Sequence, residues 1–326
     1  MNIEFHYYVV KYLALEAGFD SGEAQIIAYS SQFVDDNTYT VKIRKPDSEI
    51  YENQISQTPD VLAPQTHTMR IYPLFHYLPG DPTSAKASRR DGKMHILMTT
   101  PASTHAQEIF FESTKNEDLY LLGIASHMLS DTFFNQNFIG NCDGMNAIKG
   151  TWEPLELHIG HADAGHKPDI PNLVWIDPRL IEKNQEINNK DRFIYAAHKL
   201  YNNYLFMTSQ QGNWSQIKKN LNSIIAEPIN ENQLNKYEEQ LEQRCDKFQK
   251  LLSEYCSDNT YDPLNWLMKA VNEKISKDNI TEQELSFIPD YQKSDWFNFQ
   301  EAVKEYQKTA NRKLEPIFGS IEFKNW

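Results

Sequence analysis

Apolar residues recur at helical spacing near the start of the chain and again in its middle. Residues 3–17 carry such a pattern, which stops at Gly18. Ser21 then predicts the N-cap of a second helix that runs to about Asp36. The stretch 116–138 predicts the most apolar helix of the chain, and a helix that is apolar nearly all round is usually buried. The first half therefore predicts a helical core.

The second half predicts one helix after another. The expected helices cover residues 192–209, 214–226, 231–256, 262–276 and 294–312. The run TYTVKI alternates and predicts a strand or hairpin arm, whereas IYPLFHYLPGDP (71–82), with its prolines and glycine, predicts a loop with apolar anchors. Residues 83–93 are small, polar and basic and are expected to be mobile, and 139–190 predict a long irregular stretch, which in compact domains often carries function.

The pattern as a whole predicts an all-α fold with a few short strands or hairpins. We expect residues 1–190 to form a metal-binding helical core and residues 191–326 a helical C-terminal half packed on it, and the two could equally form one domain. The C-terminal helices could also contact a protein partner.

Composition and charge narrow the function classes. The 326 residues are 40% hydrophobic and carry a formal net charge of -13, which favours solubility and argues against stable nucleic-acid binding. The chain has only three cysteines, an odd number that is too small for a disulfide framework. The chain has no uninterrupted apolar stretch of about 18 residues, so the sequence predicts no transmembrane helix. The N-terminus does not have the pattern of a signal peptide, so we expect a cytoplasmic protein, or one exported without a classical signal.

Candidate chemistry begins in the most apolar predicted helix, at HMLSDTFFNQNF (127–138). His127, Asp131 and Asn135 are four residues apart in succession, which places them on one helix face. Burying an imidazole and a carboxylate is costly unless they are paired or bind a metal. A buried His–Asp hydrogen bond between helices is the alternative interpretation of this motif taken alone.

Three further candidates lie earlier in the chain. His6 lies among apolar neighbours in the first predicted helix, Asp35 is next to Asp36 at the end of the second, and His76 is flanked by aromatic residues. Taken alone, His6 could be a structural histidine and the aspartate pair a helix end.

The loop HIGHADAGHKPDIPNLVW (158–175) concentrates further potential ligands. Histidines and aspartates fall close together here, at His158, His161, Asp163, His166 and Asp169. Glycines and prolines between them suggest a shaped turn, and a polar surface loop is the alternative. His67, His95, His105 and His198 show no ligand pattern and are expected to be structural or surface residues.

Mixed imidazole and carboxylate ligands suit zinc, iron or manganese. Several ligand clusters indicate two metals or more, and such sites typically activate a water and clamp the oxygens of a phosphate ester. Other chemistries lack their motifs, since the chain has no GxxxxGK[ST] loop, no GxGxxG after a strand, no GxSxG elbow and no HExxH.

At these residues the sequence resembles a family of uncharacterised bacterial proteins, which itself looks distantly like the superfamily of zinc-dependent phospholipases C and single-strand nucleases. The resembling stretches are FHYYVVKYLALEAGF with EAQIIAYSSQFVDD, FHYLPGD, HMLSDTFFNQNF and GHADAGHKPDIP, in that order up to about residue 175. The resemblance implies a multi-helix, phospholipase C-like core that holds one to three zinc ions. By motif, the implied ligands are His6, Asp35, His76, His127, Asp131, His161 and His166, with Asp169 following in the last motif.

Two departures from the resembling pattern matter. A histidine is usual where Asn135 stands, and an amide oxygen is a poorer zinc ligand than an imidazole. The superfamily also uses a mature N-terminal tryptophan as a ligand, and this chain starts at Met1.

The sequence therefore predicts a metal-dependent hydrolase of phosphoester bonds that acts on a small phosphoester or a lipid headgroup, with Asp35 or Asp131 holding or deprotonating the attacking water. The alternatives are a non-catalytic structural or protein-binding protein with a degraded metal site, and a metal-free histidine network that holds helices together.

Overall fold

A computed structural model describes residues 3–58, 70–148, 158–276, 280–281 and 283–321. The fold is mostly helical, as predicted, with two small sheets. The α-helices are α1 Val10–Glu16, α2 Ser21–Asp36, α3 Thr104–Ser113, α4 Leu119–Phe134, α5 Asn189–Thr208, α6 Trp214–Ile225, α7 Tyr237–Leu252, α8 Asn265–Ala270 and α9 Asp295–Ser320. The segments Glu4–Val9 and Tyr72–His76 are π-helical turns, and several short 3-10 turns lie between the longer elements.

Helix α4 lies at the centre of the molecule. It packs against α2, α3, α5 and α9, and nearly all of its residues are buried, as its apolar sequence predicts. Its first turn is capped by Asp118, whose side chain accepts hydrogen bonds from the backbone N–H groups of Tyr120 and Leu121. Its last residue is Phe134, and Asn135 is the C-cap.

Each sheet joins strands from both halves of the chain. The strands are β1 Lys42–Arg44, β2 Ile50–Glu52, β3 Leu173–Ile176, β4 Glu186–Asn188, β5 Ile229–Asn230 and β6 Leu285–Ser286. In the first sheet, β1 pairs antiparallel with β2 and parallel with β6, so the predicted hairpin arm is confirmed. In the second, β3 pairs antiparallel with β4 and parallel with β5.

The core likewise draws on both halves. One hydrophobic cluster extends from Phe5 to Phe318 and includes buried residues of α2, α4, α5 and α9. A smaller cluster lies around Trp175, Phe138 and Tyr77, under the loop that contains His161. The C-terminal helices are therefore part of the main core.

Several predicted boundaries were wrong. The N-cap of α2 is Asp20 rather than Ser21, because the Asp20 carboxylate accepts from the N–H groups of Gly22 and Glu23 while Glu23 accepts from Asp20 in return. The stretch 71–82, predicted as a loop, contains a π-helical turn, which begins at Tyr72 with Pro73 in its first turn.

Other differences concern the expected mobility of one segment and the lengths of two helices. Residues 83–93, expected to be mobile, are anchored by hydrogen bonds from Arg89 to the Met145 carbonyl and from Arg90 to the Leu180 carbonyl. Helix α8 covers only part of 262–276, and α9 extends past residue 312.

Among the described residues, no helix combines the length and apolar character needed to cross a membrane.

Candidate metal centre

Four helical segments bring the candidate ligands together at the end of α4. Asp131 lies near the C-terminus of α4 and His127 one turn earlier, while Asp35 comes from the last turn of α2. His76 ends the π-helical turn Tyr72–His76, and His6 lies in the turn Glu4–Val9. His6, His76, His127 and Asp131 are all buried, so these polar groups depend on one another for partners.

Four donor atoms converge at the centre of this group. His127 Nε2 lies 3.1 Å from His76 Nδ1, and Asp131 Oδ2 lies 3.3 Å from each of these nitrogens. Asp35 Oδ1 lies 3.6 Å from His76 Nδ1 and 3.7 Å from His127 Nε2. A tetrahedral ion with ligands at about 2.0–2.1 Å holds its donor atoms about 3.3–3.4 Å apart. The measured separations are therefore close to the edges of a zinc-sized tetrahedron.

Backbone carbonyls fix the tautomers of the two histidines. His127 Nδ1 lies 2.8 Å from the Ser31 carbonyl oxygen, and His76 Nε2 lies 2.9 Å from that of Ser56. Because a carbonyl only accepts hydrogen bonds, those ring nitrogens carry the proton. In the neutral rings the lone pairs are then on His127 Nε2 and His76 Nδ1, which face each other and the Asp131 carboxylate. Such converging electron pairs require a cation or an added proton between them.

The pKa shifts of Asp131 and His127 also indicate that positive charge is favoured at this centre. Burial alone would raise the pKa of the Asp131 carboxyl, but His127 and His6 overcome this effect and hold that pKa well below its usual range. Burial would also lower the pKa of His127, but the carboxylates of Asp131 and Asp35 raise it above its usual value. The arrangement that stabilises a proton here would equally stabilise a bound metal ion.

His6 contacts the other oxygen of the same carboxylate. Its Nε2 lies 3.1 Å from Asp131 Oδ1, and its ring stacks on that of His127 with 3.9 Å between ring centroids. Burial, and next the proximity of His127, lower the pKa of His6 to about 4, so this ring is neutral near pH 7. Its Nδ1 is buried without a hydrogen-bond partner in the described part of the chain. His6 can therefore orient Asp131 by donating a hydrogen bond, or join Asp131 and His127 in a second cation site.

Asn135 lies beside the candidate ligands and turns its amide oxygen inward. Its Nδ2 donates to the His76 backbone carbonyl at 2.8 Å, which fixes the orientation of the amide. Its Oδ1 is buried and has no partner among the described residues. Asn135 thus positions the His76 segment and keeps one buried oxygen without a partner among the described residues.

These groups open into a pocket with a volume of about 590 Å³. Asp35, His76, Asp131 and Asn135 line one wall. The opposite wall is the loop that carries His161, His166 and Asp169, as the sequence predicts. The pocket therefore contains most of the predicted ligands.

The loop residues do not join the cluster on the helices. His161 Nε2 lies 3.7 Å from Asp169 Oδ1, and His166 Nδ1 lies 3.9 Å from Asp169 Oδ2. His166 is 81% exposed at the rim, and the nearby Asp169 carboxylate raises its pKa. Among the described residues, the groups His6–His127–Asp131 and Asp35–His76–His127 are each close enough to share an ion, and neither includes a residue of this loop.

The remaining histidines among the described residues do not line the pocket. His158 and Asp163, which belong to the same loop, pair with each other at 2.6 Å and are not part of the pocket lining. His95 faces Asp143 at 3.6 Å, and His198 stacks on Trp214. His67 lies outside the described residues.

Tyr77 is a pocket residue that the sequence analysis missed. Its hydroxyl accepts a hydrogen bond from the His161 backbone N–H at 3.2 Å, and burial raises its pKa well above the usual value. Gly160 packs against its ring so closely that a Cβ there would lie 2.4 Å from the Tyr77 hydroxyl. The sequence offers one signal for this residue, because Tyr77 directly follows the candidate ligand His76 in FHYLPGD.

Comparison with known proteins places the chain in one family. A family of unknown function (DUF6765) matches residues 1–314. The protein belongs to this family. A search of curated proteins and a search of solved structures each found no match. The match extends from before His6 to the last turns of α9, so the family covers both the candidate centre and the helices that pack around it.

Proposed function

We propose that this protein is a metal-dependent hydrolase of phosphoester bonds. The observation that carries the proposal is the close spacing of His76 Nδ1, His127 Nε2 and Asp131 Oδ2, which lie 3.1 to 3.3 Å apart at the wall of an open polar pocket, with Asp35 Oδ1 3.6 to 3.7 Å from both nitrogens. Two imidazole nitrogens and a carboxylate oxygen form a donor set that suits zinc, with iron or manganese as alternatives, and Asp35 adds a second carboxylate beside it. The phospholipase C-like core implied by the resemblance is part of the same proposal.

The two carboxylates differ in what they are free to do. Both oxygens of Asp131 face histidines, so this residue holds the centre together. The side chain of Asp35 is 17% exposed and lines the pocket, and its Oδ2 has no hydrogen-bond partner among the described residues. Asp35 is therefore better placed to accept a proton from an attacking water.

A bound metal ion would lower the pKa of a water molecule and polarise a phosphoryl oxygen. The chain supplies the rest of the arrangement. Asp35, His76 and Asp131 face the pocket, and His127 is fully buried behind them. The loop of His161 and Asp169 would bind the substrate from the opposite side. His76, His127 and Asp131 would hold a single ion and leave its fourth position, beside Asp35, to the attacking water, and the His6–Asp131–His127 group offers a place for a second ion.

The substrate class follows from the size of the pocket and the charge of the chain. A volume of about 590 Å³ accommodates a small phosphoester or a lipid headgroup. The net charge of -13 disfavours long polyanions such as nucleic acids.

Hydrolysis of bis(p-nitrophenyl) phosphate by the zinc-loaded protein tests the proposal. We expect Asp35→Asn to lower kcat by at least about 100-fold, because general-base catalysis contributes on that order, while the donor atoms of His76, His127 and Asp131 still hold the metal. Asp163→Asn is the matched control, since Asp163 also pairs with a buried histidine but lies off the pocket. Equal turnover by the wild type and both variants, or none by any of them across a panel of phosphodiesters and phosphomonoesters, would contradict the proposal.

A non-catalytic role is the second candidate, and two observations favour it. Asn135 stands where the resembling family usually has a histidine, and its amide nitrogen donates to the His76 carbonyl. On α5, Tyr195 and Phe206 are 63% and 74% exposed and could contact a protein partner. At most one metal per chain, with stability lost on chelation and no hydrolysis, would favour this role.

A further inference from the structure

A second pocket, with a volume of about 340 Å³, lies beyond the C-terminal end of α4. Asn135 faces the candidate metal pocket, whereas the next residues, Gln136 and Asn137, line this second one. Its other walls come from the start of α5 and from two loops, which contribute Arg192, Lys86 and Lys183. It shares no lining residue with the candidate metal pocket.

Arg192 is the unusual group in this pocket. The residue is only 8% exposed. Its one hydrogen bond within the described residues runs from Nη1 to the Phe134 carbonyl and is long, at 3.5 Å. Nε and Nη2 donate to no atom of the described chain. A helix C-terminus attracts a cation, so the contact of Arg192 with the Phe134 carbonyl is favourable. This contact occupies only one of the five N–H donors of the guanidinium group.

The Asp177 carboxylate, which raises the pKa of Arg192, is already paired with another arginine. Asp177 contributes to its electrostatics, but both Asp177 oxygens are bound by Arg179, through Nε at 2.9 Å and Nη2 at 2.7 Å. Arg179 adds positive charge of its own, and burial lowers the pKa of Arg192 to about 9. A buried cation without a dedicated partner is strongly unfavourable, which makes a bound anion the natural complement.

The rest of the pocket supports an anion. Lys86 and Lys183 are exposed at its rim, and Asn188, the N-cap of α5, is among its lining residues. Asn137 is buried, and its side-chain amide makes no hydrogen bond with the described residues. Two acidic residues, Glu186 and Asp191, also line the pocket, but both are exposed and can turn toward solvent.

We propose that this pocket binds a phosphate group, with Arg192 as the central donor and Asn137, Lys86 and Lys183 as secondary donors. A guanidinium presents its N–H groups in a planar fork that matches two oxygens of a phosphate. The phosphate is either free or part of a small phosphomonoester. This site is separate from the candidate metal centre and does not depend on the hydrolase proposal.

Thermal unfolding of the full chain with added inorganic phosphate, at ionic strength held constant with chloride, tests this site. At ten times the dissociation constant, we expect phosphate to raise Tm by about 2 °C. In Arg192→Gln the rise should disappear, with phosphate affinity at least about tenfold weaker. Without phosphate, Arg192→Gln should be as stable as the wild type or more stable, because a buried uncompensated charge has been removed.

Matched variants keep the test decisive. Lys86→Gln with Lys183→Gln, which changes only exposed side chains, should weaken phosphate binding several-fold, whereas Lys219→Gln on the exposed face of α6 should leave it unchanged. Repeating the measurement with glycerol phosphate distinguishes free phosphate from a phosphomonoester as the ligand, because tighter binding of the ester indicates a phosphomonoester. A rise that survives Arg192→Gln but is lost in Asp131→Asn would place the phosphate at the metal centre and overturn the proposal, as would no rise beyond that given by chloride.

Discussion

Asp131 is the residue on which the candidate centre depends most. Its two oxygens lie 3.1 to 3.3 Å from nitrogens of three different histidines, and its side chain is almost completely buried. A carboxylate in that position is stable only because positive charge or N–H groups surround it. Its geometry therefore fixes where a cation can lie between His76 and His127.

Asn135 provides a prediction at the same scale. In Asn135→Ala the buried His76 carbonyl loses its amide donor, so we expect a loss of about 1–3 kcal/mol in the free energy of unfolding, measured by urea denaturation. Asn184→Ala is the control, because Asn184 donates a similar bond to the Ala85 carbonyl at an exposed position, and it should cost less than about 1 kcal/mol. Equal losses in the two variants would show that Asn135 is not holding the His76 segment.

At the scale of elements, the close crossing of α2 and α4 positions the site. Gly123 on α4 lies directly against α2, where a Cβ would come within 2.4 Å of Ser30 Cβ and 2.5 Å of the Ile27 carbonyl oxygen. The same two helices carry Asp35 on one side and His127 with Asp131 on the other. The distance from Asp35 to the histidines therefore depends on how closely the helices approach.

Gly123→Ala should separate the two helices. Alanine favours a helix by about 1 kcal/mol over glycine, but overpacking at a rigid crossing costs about 1–3 kcal/mol or more, so we expect a net loss of stability and at least tenfold weaker zinc binding. Gly319→Ala is the control, because the nearest atom to a Cβ there is 4.0 Å away. Urea denaturation and zinc titration measure both effects, and wild-type affinity in a destabilised Gly123→Ala protein would contradict the role of the crossing.

The elements also show how far the sequence allows prediction. The apolar pattern predicts α2 and α4, and the spacing of His127 and Asp131 predicts their shared face, because both depend on helical periodicity alone. The tetrahedral spacing with His76 was not predictable, since His76 and Asp131 are 55 positions apart and meet only through tertiary packing. The π-helical turn that carries His76 was missed because its proline indicates a loop, whereas Pro73 lies in the first turn, where a helix tolerates it.

At the scale of the whole molecule, the C-terminal half holds the ligand segments in place. The Tyr306 hydroxyl of α9 donates to the Leu74 carbonyl in the turn before His76. Arg244 of α7 forms a buried ion pair with Glu4, two residues before His6. Strands β5 and β6 complete sheets that begin in the first half. Elements after residue 190 therefore pack directly on the segments that carry His6 and His76.

A fragment of residues 1–190 should consequently fail to fold. Without α5 and α9, α4 loses two of the helices that bury it, and its apolar surface would be exposed to water. We expect the fragment to show no cooperative thermal transition and no stoichiometric zinc binding, whereas the full chain shows both. Cooperative unfolding of the fragment, measured by circular dichroism, would mean that the first half is a domain in its own right.

The most direct test of the central claim is the metal content of the purified full chain, measured by elemental analysis before and after mild chelation and repeated for Asp131→Asn and Asp163→Asn. The donor arrangement around Asp131 predicts at least one equivalent of zinc, iron or manganese in the wild type and in Asp163→Asn, and background levels in Asp131→Asn. No metal in the wild type, with stability unchanged by chelation, would contradict the account and leave the cluster as a network of histidine–carboxylate hydrogen bonds.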